Sequence, residues 1–405
     1  MKNWINTALG NKTPNKRIQA VDLSVKSQHE RPLIALQLAH HASWGDHSFA
    51  GLSEAGYQTN AIAYRCVRLI AETAASVGFC VTREGQHERH DPVLTVFDHS
   101  NIETSFTEIL EQFYGYLQVA GNGYLEAIKI DDRIIGFRAL RPDRVEVKTS
   151  PNGHKIGYAY RVNNQTRLIK DDIAKGQCGV YHMRLFHPKD DHYGYAPMRA
   201  AARAIDMHNE GARWAKALLD NSARPSGALI YKGASGTEQL SRDQFDRLKA
   251  ELEQAHSGAD RAGRPMLLEG GLDWKAMSLS PTDMDFLNAR REAAREIALA
   301  FGVPPMLLGI PGDNTYSNYK EANLAFWRIV ILPLVKKTAS GLQRWLRPYY
   351  GPDVSITVDM DGIPALSDER GALWNRLTQA SFLTDEERRK MAGLPPLPSS
   401  TGGTS

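Results

Sequence analysis

The sequence predicts an α+β fold, and three observations carry that prediction. Apolar residues recur at helical spacing in long segments on both sides of a central region. Inside that region, short segments rich in Val, Ile and Tyr are punctuated by Gly, Pro and Asp-Asp turns. Strands clustered in this way, rather than alternating with helices, build an antiparallel sheet.

Residues 1–56 are polar, His-rich and weakly periodic, and are read as a variable N-terminal arm. From Ala61 to Val77 a helix places Ala63, Val67, Ile70, Ala74 and Val77 on one face. A second helix, Phe106 to Leu117, stops before the Gly121, Asn122, Gly123 turn. Strands are expected at Tyr124–Ile130, Ile134–Leu140, Val145–Val147, Tyr158–Val162 and Gly179–Met183. Pro197 opens a long Ala-rich helix to about Asn221, ended by Arg224, Pro225, Ser226 and Gly227. A compact α/β insert fills 227–280, with strands at Ala228–Tyr231, Pro265–Leu268 and Trp274–Leu279 and a helix from Ser241 to about Ala255.

The next helix carries the clearest signals. Ser280 and Asp283 have capping-box-like spacing, and Pro281 sits at the first helical position, where its missing N–H is harmless. Asp283 and Asp285 favour the positive end of the helix dipole. Leu287, Ala294, Ile297 and Phe301 make an apolar face, flanked by stripes of Arg291 with Arg295 and Glu292 with Glu296. Gly302 and Pro304 end it. A polar loop follows, then a basic helix over 317–347, interrupted at Pro333 and bearing Lys320, Arg328, Lys336, Lys337, Arg344 and Arg347 against the single acid Glu321. Val354–Val358 is a last strand. Two short helices close the chain, the second capped by Thr384 with Glu387 and stopped by Gly393. The tail beyond Pro398 is small and polar.

Composition narrows the function. The chain has 405 residues, 42% hydrophobic and 23% charged, the balance of a folded protein with several sub-domains. A net charge of +3 is far below that of a tight, static DNA binder. Cys66, Cys80 and Cys178 form no C-x-x-C pair and are expected as free thiols in a reducing compartment. The N-terminal residues lack the apolar run of a signal peptide, and the longest apolar tract, 325–335, is broken by Arg328 and Pro333, so no membrane span is expected. No G-x-x-x-x-G-K-[ST] loop occurs, which argues against an ATPase motor, and no cofactor is expected.

A series of short motifs, spread in order along 57–397, resembles the portal proteins of long-tailed phages and related gene-transfer particles. These are Cys66 and Val67; Asp91, Pro92 and Asn101 before the Phe106 helix; Gly121 to Tyr124; Leu140 and Pro142; and His182. Gly194 and Pro197 follow, with Ala196 where a serine is more usual, then Asn221, Pro225, Gly227 and Phe301 to Pro305. Tyr316 to Asn318 and Thr384, Glu387, Arg389 and Gly393 complete the series. Each motif alone is weak; their number and order make the resemblance.

That resemblance implies a portal fold with an α/β wing at 57–196 and 303–365, a two-helix stem at 197–224 and 281–302, a small α/β clip at 225–280 and a short helical crown at 366–397. A tunnel loop would fall at 309–318, with a disordered tail at 398–405. It further implies a homo-oligomeric ring, typically of twelve subunits, at one capsid vertex. The ring would be a channel for double-stranded DNA and a dock for the terminase large subunit, a head-tail adaptor and a major capsid or scaffolding protein. Such a protein is not an enzyme, and it ends in the virion after assembly in the bacterial host cytoplasm.

Several residues carry competing readings. Gly312, Asp313, Asn314, Thr315 and Lys320 would line the tunnel and touch DNA; the plainer alternative is an exposed connection between helices. Arg291, Glu292, Arg295 and Glu296 fit either subunit contacts or the channel wall. Direct DNA contact by the basic helix competes with pairing to acidic neighbours. His182, His187, Asp191 and His192 cluster within eleven residues. They raise a rival reading, a metal-dependent nuclease or hydrolase associated with a phage particle. Their spacing matches no H-E-x-x-H or tight Cys/His pattern, so a polar loop is preferred and no metal is assigned. Trp214, Trp327 and Trp345 fall on apolar helix faces and are read as core.

Overall fold

The structure, a computed structural model, describes residues 48–83, 86–87, 91–98, 103–220, 227–231, 272–276, 286–311 and 316–394, with Asp46 and scattered residues of 241–250. It is α+β. Helical turns begin inside the stretch read as an arm: α1 (Phe49–Leu52), N-capped by Ser48, runs into a π-helical turn at Ser53–Gln58. The segment is too short for its period to register in the sequence, yet it buries Leu52.

The next helix, α2 (Ala61–Ala75), is N-capped by Asn60, whose side chain accepts from the Ile62 and Ala63 amides. It buries Ala63, Cys66, Val67, Ile70, Ala71 and Ala74. The short α3 (Pro92–Asp98) starts on Asp91, which accepts from the Val93 amide at 2.7 Å. Helix α4 (Phe106–Ala120) carries the capping box Ser105/Glu108 and ends on left-handed Gly121. No side chain fits at that end: a Cβ on Gly194 would lie 2.0 Å from the Gly121 carbonyl. This close approach explains the glycine pair flanking the strands.

Three sheets surround these helices. Strand β1 (Phe79–Arg83) pairs antiparallel with the two-residue β2 (Gln86–His87) and with β11 (Val354–Val358), over 270 residues away. The central sheet has the order β4-β3-β8, from β3 (Asn122–Ile130), β4 (Arg133–Leu140) and β8 (Val180–Arg184). The outer sheet is β5 (Val145–Thr149), β6 (Lys155–Val162) and β7 (Gln165–Lys170). Both two-residue hairpin turns, Asp131-Asp132 and Asn163-Asn164, have positive φ at both positions, which matches the twist of the strands they join.

Strand β3 is buried on both faces, and its alternation separates two cores. Leu125 and Ala127 join the main helical core, while Tyr124 meets Leu140, Val145, Tyr158 and Val180 between the two sheets. Glu126 shares that inner face. Its carboxylate accepts from Arg138 of β4 (2.5 Å) and Arg167 of β7 (2.5 Å), riveting one sheet to the other. Burial alone would push the Glu126 carboxyl up; the two guanidinium partners outweigh it and hold it below the usual range. Its pKa is therefore lower folded than unfolded. The clamp is fully present above the unfolded carboxylate pKa and is lost as pH falls through the depressed folded value. Glu126→Gln is expected to cost about 1–2 kcal/mol at neutral pH, since both arginines are half-exposed and rehydrate. Urea unfolding at pH 7 and pH 4 checks this, with the deficit shrinking toward acid.

The chain then enters α5 (Pro197–Ala200) and α6 (Ala202–Asp220), one helix in the sequence reading but broken by a turn at Ala201. Strands β9 (Gly227–Tyr231) and β10 (Leu272–Ala276) pair antiparallel. Helix α7 (Phe286–Phe301) returns beside α6 and leads through a 3₁₀ turn, Pro305–Leu308, to left-handed Gly309. The expected capping residues of α7, Ser280 to Asp285, lie outside the described residues, as do the 265–268 strand and most of the 241–255 helix.

The expected interruption at Pro333 is a π-helical turn, Trp327–Ile331, between α8 (Tyr316–Phe326) and α9 (Leu332–Tyr350). Proline lacks the N–H for the helical ladder, and the wider turn absorbs the missing bond. Trp345 of α9 is core, as expected, and its indole N–H donates to the Cys178 carbonyl at 2.7 Å. Buried Asp91 also accepts from Arg83, which donates to the Tyr350 carbonyl (3.0 Å) and Asp353 (2.9 Å), tying β1, α3 and the α9–β11 connection together. Helices α10 (Ser367–Gln379) and α11 (Asp385–Ala392) close the fold, with the expected Thr384/Glu387 capping box and left-handed Gly393.

Candidate functional site

The α6–α7 hairpin is where the sequence placed most of its candidate residues. Helix α7 buries Ala293, Ala294, Ile297, Ala298 and Phe301 along one side, as its apolar period demands. Arg291, Glu292, Arg295 and Glu296 all lie on the exposed side, beside a strongly exposed Leu299. Within the helix Arg295 pairs with Glu292 at 2.8 Å, three residues apart. Its other guanidinium nitrogen donates to the Pro311 carbonyl at 3.1 Å. Arg295 therefore braces the loop that follows, a contact between elements that helical spacing does not reveal. Arg291 and Glu296 form no ion pair among the described residues.

The loop starts from a fixed base. Gly309 is left-handed, Ile310 is buried, and Pro311 is held by Arg295. Gly312, Asp313, Asn314 and Thr315 lie outside the described residues. Helix α8 begins at Tyr316, so Tyr316 to Asn318 are its first turn rather than loop. Lys320 donates to Asp368 of α10 at 2.8 Å, and Arg328 pairs with Glu369 of the same helix. These two acids sit in the first turn of α10, where the helix dipole favours them. Part of the basic excess on 317–347 is thus met within the chain. Both partners of the Lys320 pair remain exposed, which leaves the contact weak and screened.

A polar chain at the base of the hairpin escaped the sequence reading. Asn60 caps α2 and also reaches His208 Nδ1 (3.2 Å) and Asn209 (2.9 Å) on α6. Arg290 of α7 approaches His208 Nε2 at 3.4 Å. Burial, with the Arg290 charge beside it, pushes the His208 pKa down and favours neutral imidazole. An Asn just before an apolar run signals a cap, but nothing local says that the cap reaches a helix 148 residues on.

The histidine-rich segment is dispersed into structural roles. His182 stacks on Tyr124 at 4.2 Å, and its Nε2 lies 3.0 Å from the Asn122 amide oxygen. Burial pushes its pKa down to about 3. His187 Nδ1 accepts from the Lys189 amide, and Asp190, rather than Asp191, accepts from the His192 and Tyr193 amides. No group of three metal-capable side chains is found among the described residues. None of their helices is long and apolar enough to cross a membrane.

Comparison with known proteins places this arrangement. The family model described as phage portal protein matches residues 61–393. An uncharacterised protein of Rickettsia bellii is 39% identical over 341 residues, covering 84% of this chain and 88% of its own. The probable portal protein of Streptomyces phage phiC31 is 25% identical over 350 residues, covering 84% of this chain and 75% of its own. Among solved structures, a chain from the neck of a native gene transfer agent particle, computed with C12 symmetry, is 45% identical. It superimposes with a TM-score of 0.67 over 87% of this chain and 95% of that one.

Proposed function

Because this chain belongs to the phage portal protein family, we propose that its copies assemble into a closed ring of twelve at one vertex of a capsid and form the channel through which double-stranded DNA is packaged and later leaves. The observation that carries the reading is a family match spanning nearly all the described residues, supported by 45% identity to a chain of a neck with C12 symmetry. The role is structural: the channel positions DNA, and a separate terminase large subunit supplies the work. Residues 57–196 and 303–365 make the wing, 197–224 and 281–302 the stem, and 366–397 the crown. The clip at 225–280 faces outward to the terminase and afterwards to a head-tail adaptor, while the wing meets the capsid or scaffolding protein. The assembled ring resides in the virion and is built in the host cytoplasm.

In this ring the exposed side of α7 meets the neighbouring copy. Arg291, Glu296 and Leu299 present one cation, one anion and one apolar side chain with no ion pair to the described residues of their own chain. Packing helices side by side around an axis covers such a face. Arg291→Glu is expected to weaken each subunit contact about tenfold, equivalent to one lost charge contact of about 1.4 kcal/mol, and so to lower the ring fraction in native mass measurements. Normal rings with altered packaging would place Arg291 on the channel wall instead. Arg291 is preferred to Arg295 for this test because reversing Arg295 also releases Pro311.

A further inference from the structure

A cleft of about 760 Å³ opens between the β5–β6 turn, β8 and one side of α9. Its rim is cationic. Arg184 of β8 and Lys337 and Arg344 of α9 are all exposed there, and neither arginine pairs with a carboxylate among the described residues. Lys337 donates to the Arg184 carbonyl at 3.0 Å, which leaves its charge uncompensated. Lys155 is already neutralised by Asp171 at 3.0 Å, and Asp191 is the one acid lining the cleft among the described residues.

The wall below this rim is aromatic. Tyr181 stacks on Trp345 at 5.8 Å between ring centres. Tyr181 is 8% exposed. Its hydroxyl stands over Gly341 of α9, where a Cβ would come within 2.1 Å of it. Three exposed cations without a carboxylate partner among the described residues, set beside an aromatic wall, suit a ligand that brings both carboxylates and an aromatic side chain. Duplex DNA, with a major groove alone about 12 Å wide, does not enter a space of this size.

The same chain carries such a ligand. In the turn between α10 and α11, Phe382 is 85% exposed. Asp385 and Glu386 follow it in the first turn of α11, both exposed, with Asp385 held at 3.2 Å by Arg388 of its own helix in a solvent-exposed pair that a stronger partner can replace. A ring of identical subunits joins each copy to the next through two different, complementary patches. Resting on the ring reading above, we infer that the α10–α11 turn of one copy docks in this cleft of the next. Phe382 packs against the Tyr181–Trp345 wall, and Asp385 and Glu386 meet Arg184, Lys337 and Arg344.

The test mixes two full-length variants before assembly. Cys178 lines the cleft and Cys80 is part-exposed, so both variants carry Cys80→Ser and Cys178→Ser; one then adds Ser381→Cys, beside Phe382, and the other His154→Cys, exposed on the cleft rim. A short bismaleimide should give a covalent dimer from the mixture that neither variant alone produces. Adding Lys337→Glu with Arg344→Glu to the cleft copy should lower that yield about tenfold, as for a lost interfacial charge pair. Asp385→Lys with Glu386→Lys on the other copy should restore it. Rings that form without this dimer, or whose dimer ignores both reversals, overturn the inference. So does a cleft that binds inorganic phosphate or an oligonucleotide while the dimer is missing. Failure of the unsubstituted protein to form rings at all removes the ring reading itself, and imaging before cross-linking separates that outcome from the others.

Discussion

Replacing residues 225–280 by a short Gly-Ser linker is expected to yield heads that assemble normally but neither fill with DNA nor acquire tails. The loss of DNA-containing, tailed particles should span orders of magnitude, because on the proposed clip assignment one surface serves both partners in turn. The structure makes the deletion clean. Strands β9 and β10 pair with each other and with no other strand among the described residues. Gly227 lies opposite Ala276 in their register, so the first described residue of β9 and the last of β10 are neighbours. Nuclease-protected DNA per head, with electron microscopy of tails, is the readout. Normal filling and tail joining would remove the clip assignment while leaving the ring intact.

Asn314→Trp should leave ring formation unchanged and alter DNA packaging or retention severalfold or more. The segment has two glycines, a proline and no Lys or Arg before Lys320, so its expected contacts with phosphates are neutral and sequence-blind. On the tunnel reading, Asp313 adds repulsion that discourages sticking. The segment is flanked on one side by buried Ile310 and the Arg295–Pro311 bond and on the other by the start of α8. On the tunnel reading, a bulky ring at position 314 acts on the passing DNA. Unchanged ring formation with unchanged packaging would make it an ordinary surface connection.

Local signals wrote much of this fold into the sequence. The Thr384/Glu387 box and Gly393 bound α11 as expected, and Val354–Val358 is a strand residue for residue, because caps and short alternating runs act within a few positions. Family membership was legible too, from the order of weak motifs, and some of those motifs now have physical causes. Asp91 followed by Pro92 is a helix cap that also holds Arg83, and Gly121 with Gly194 is a backbone contact too close for a side chain.

What stayed hidden depends on partners far along the chain. Strand β7 is an exposed polar edge with no apolar alternation, and β1 is five residues whose partner lies beyond position 350. The acids that meet Lys320 and Arg328 come from the next helix but one, and Arg290 meets His208 across 82 residues. Residues 312–315, the segment on which the tunnel reading turns, lie outside the described part of the structure.

The central claim is that this chain closes into a ring. Native mass spectrometry of the purified protein, with class averages from negative-stain images, measures it directly. The account predicts a closed ring with a central channel and a mass near twelve times that of the 45.0 kDa subunit. A strict monomer in every condition, including co-expression with the capsid proteins, would contradict it.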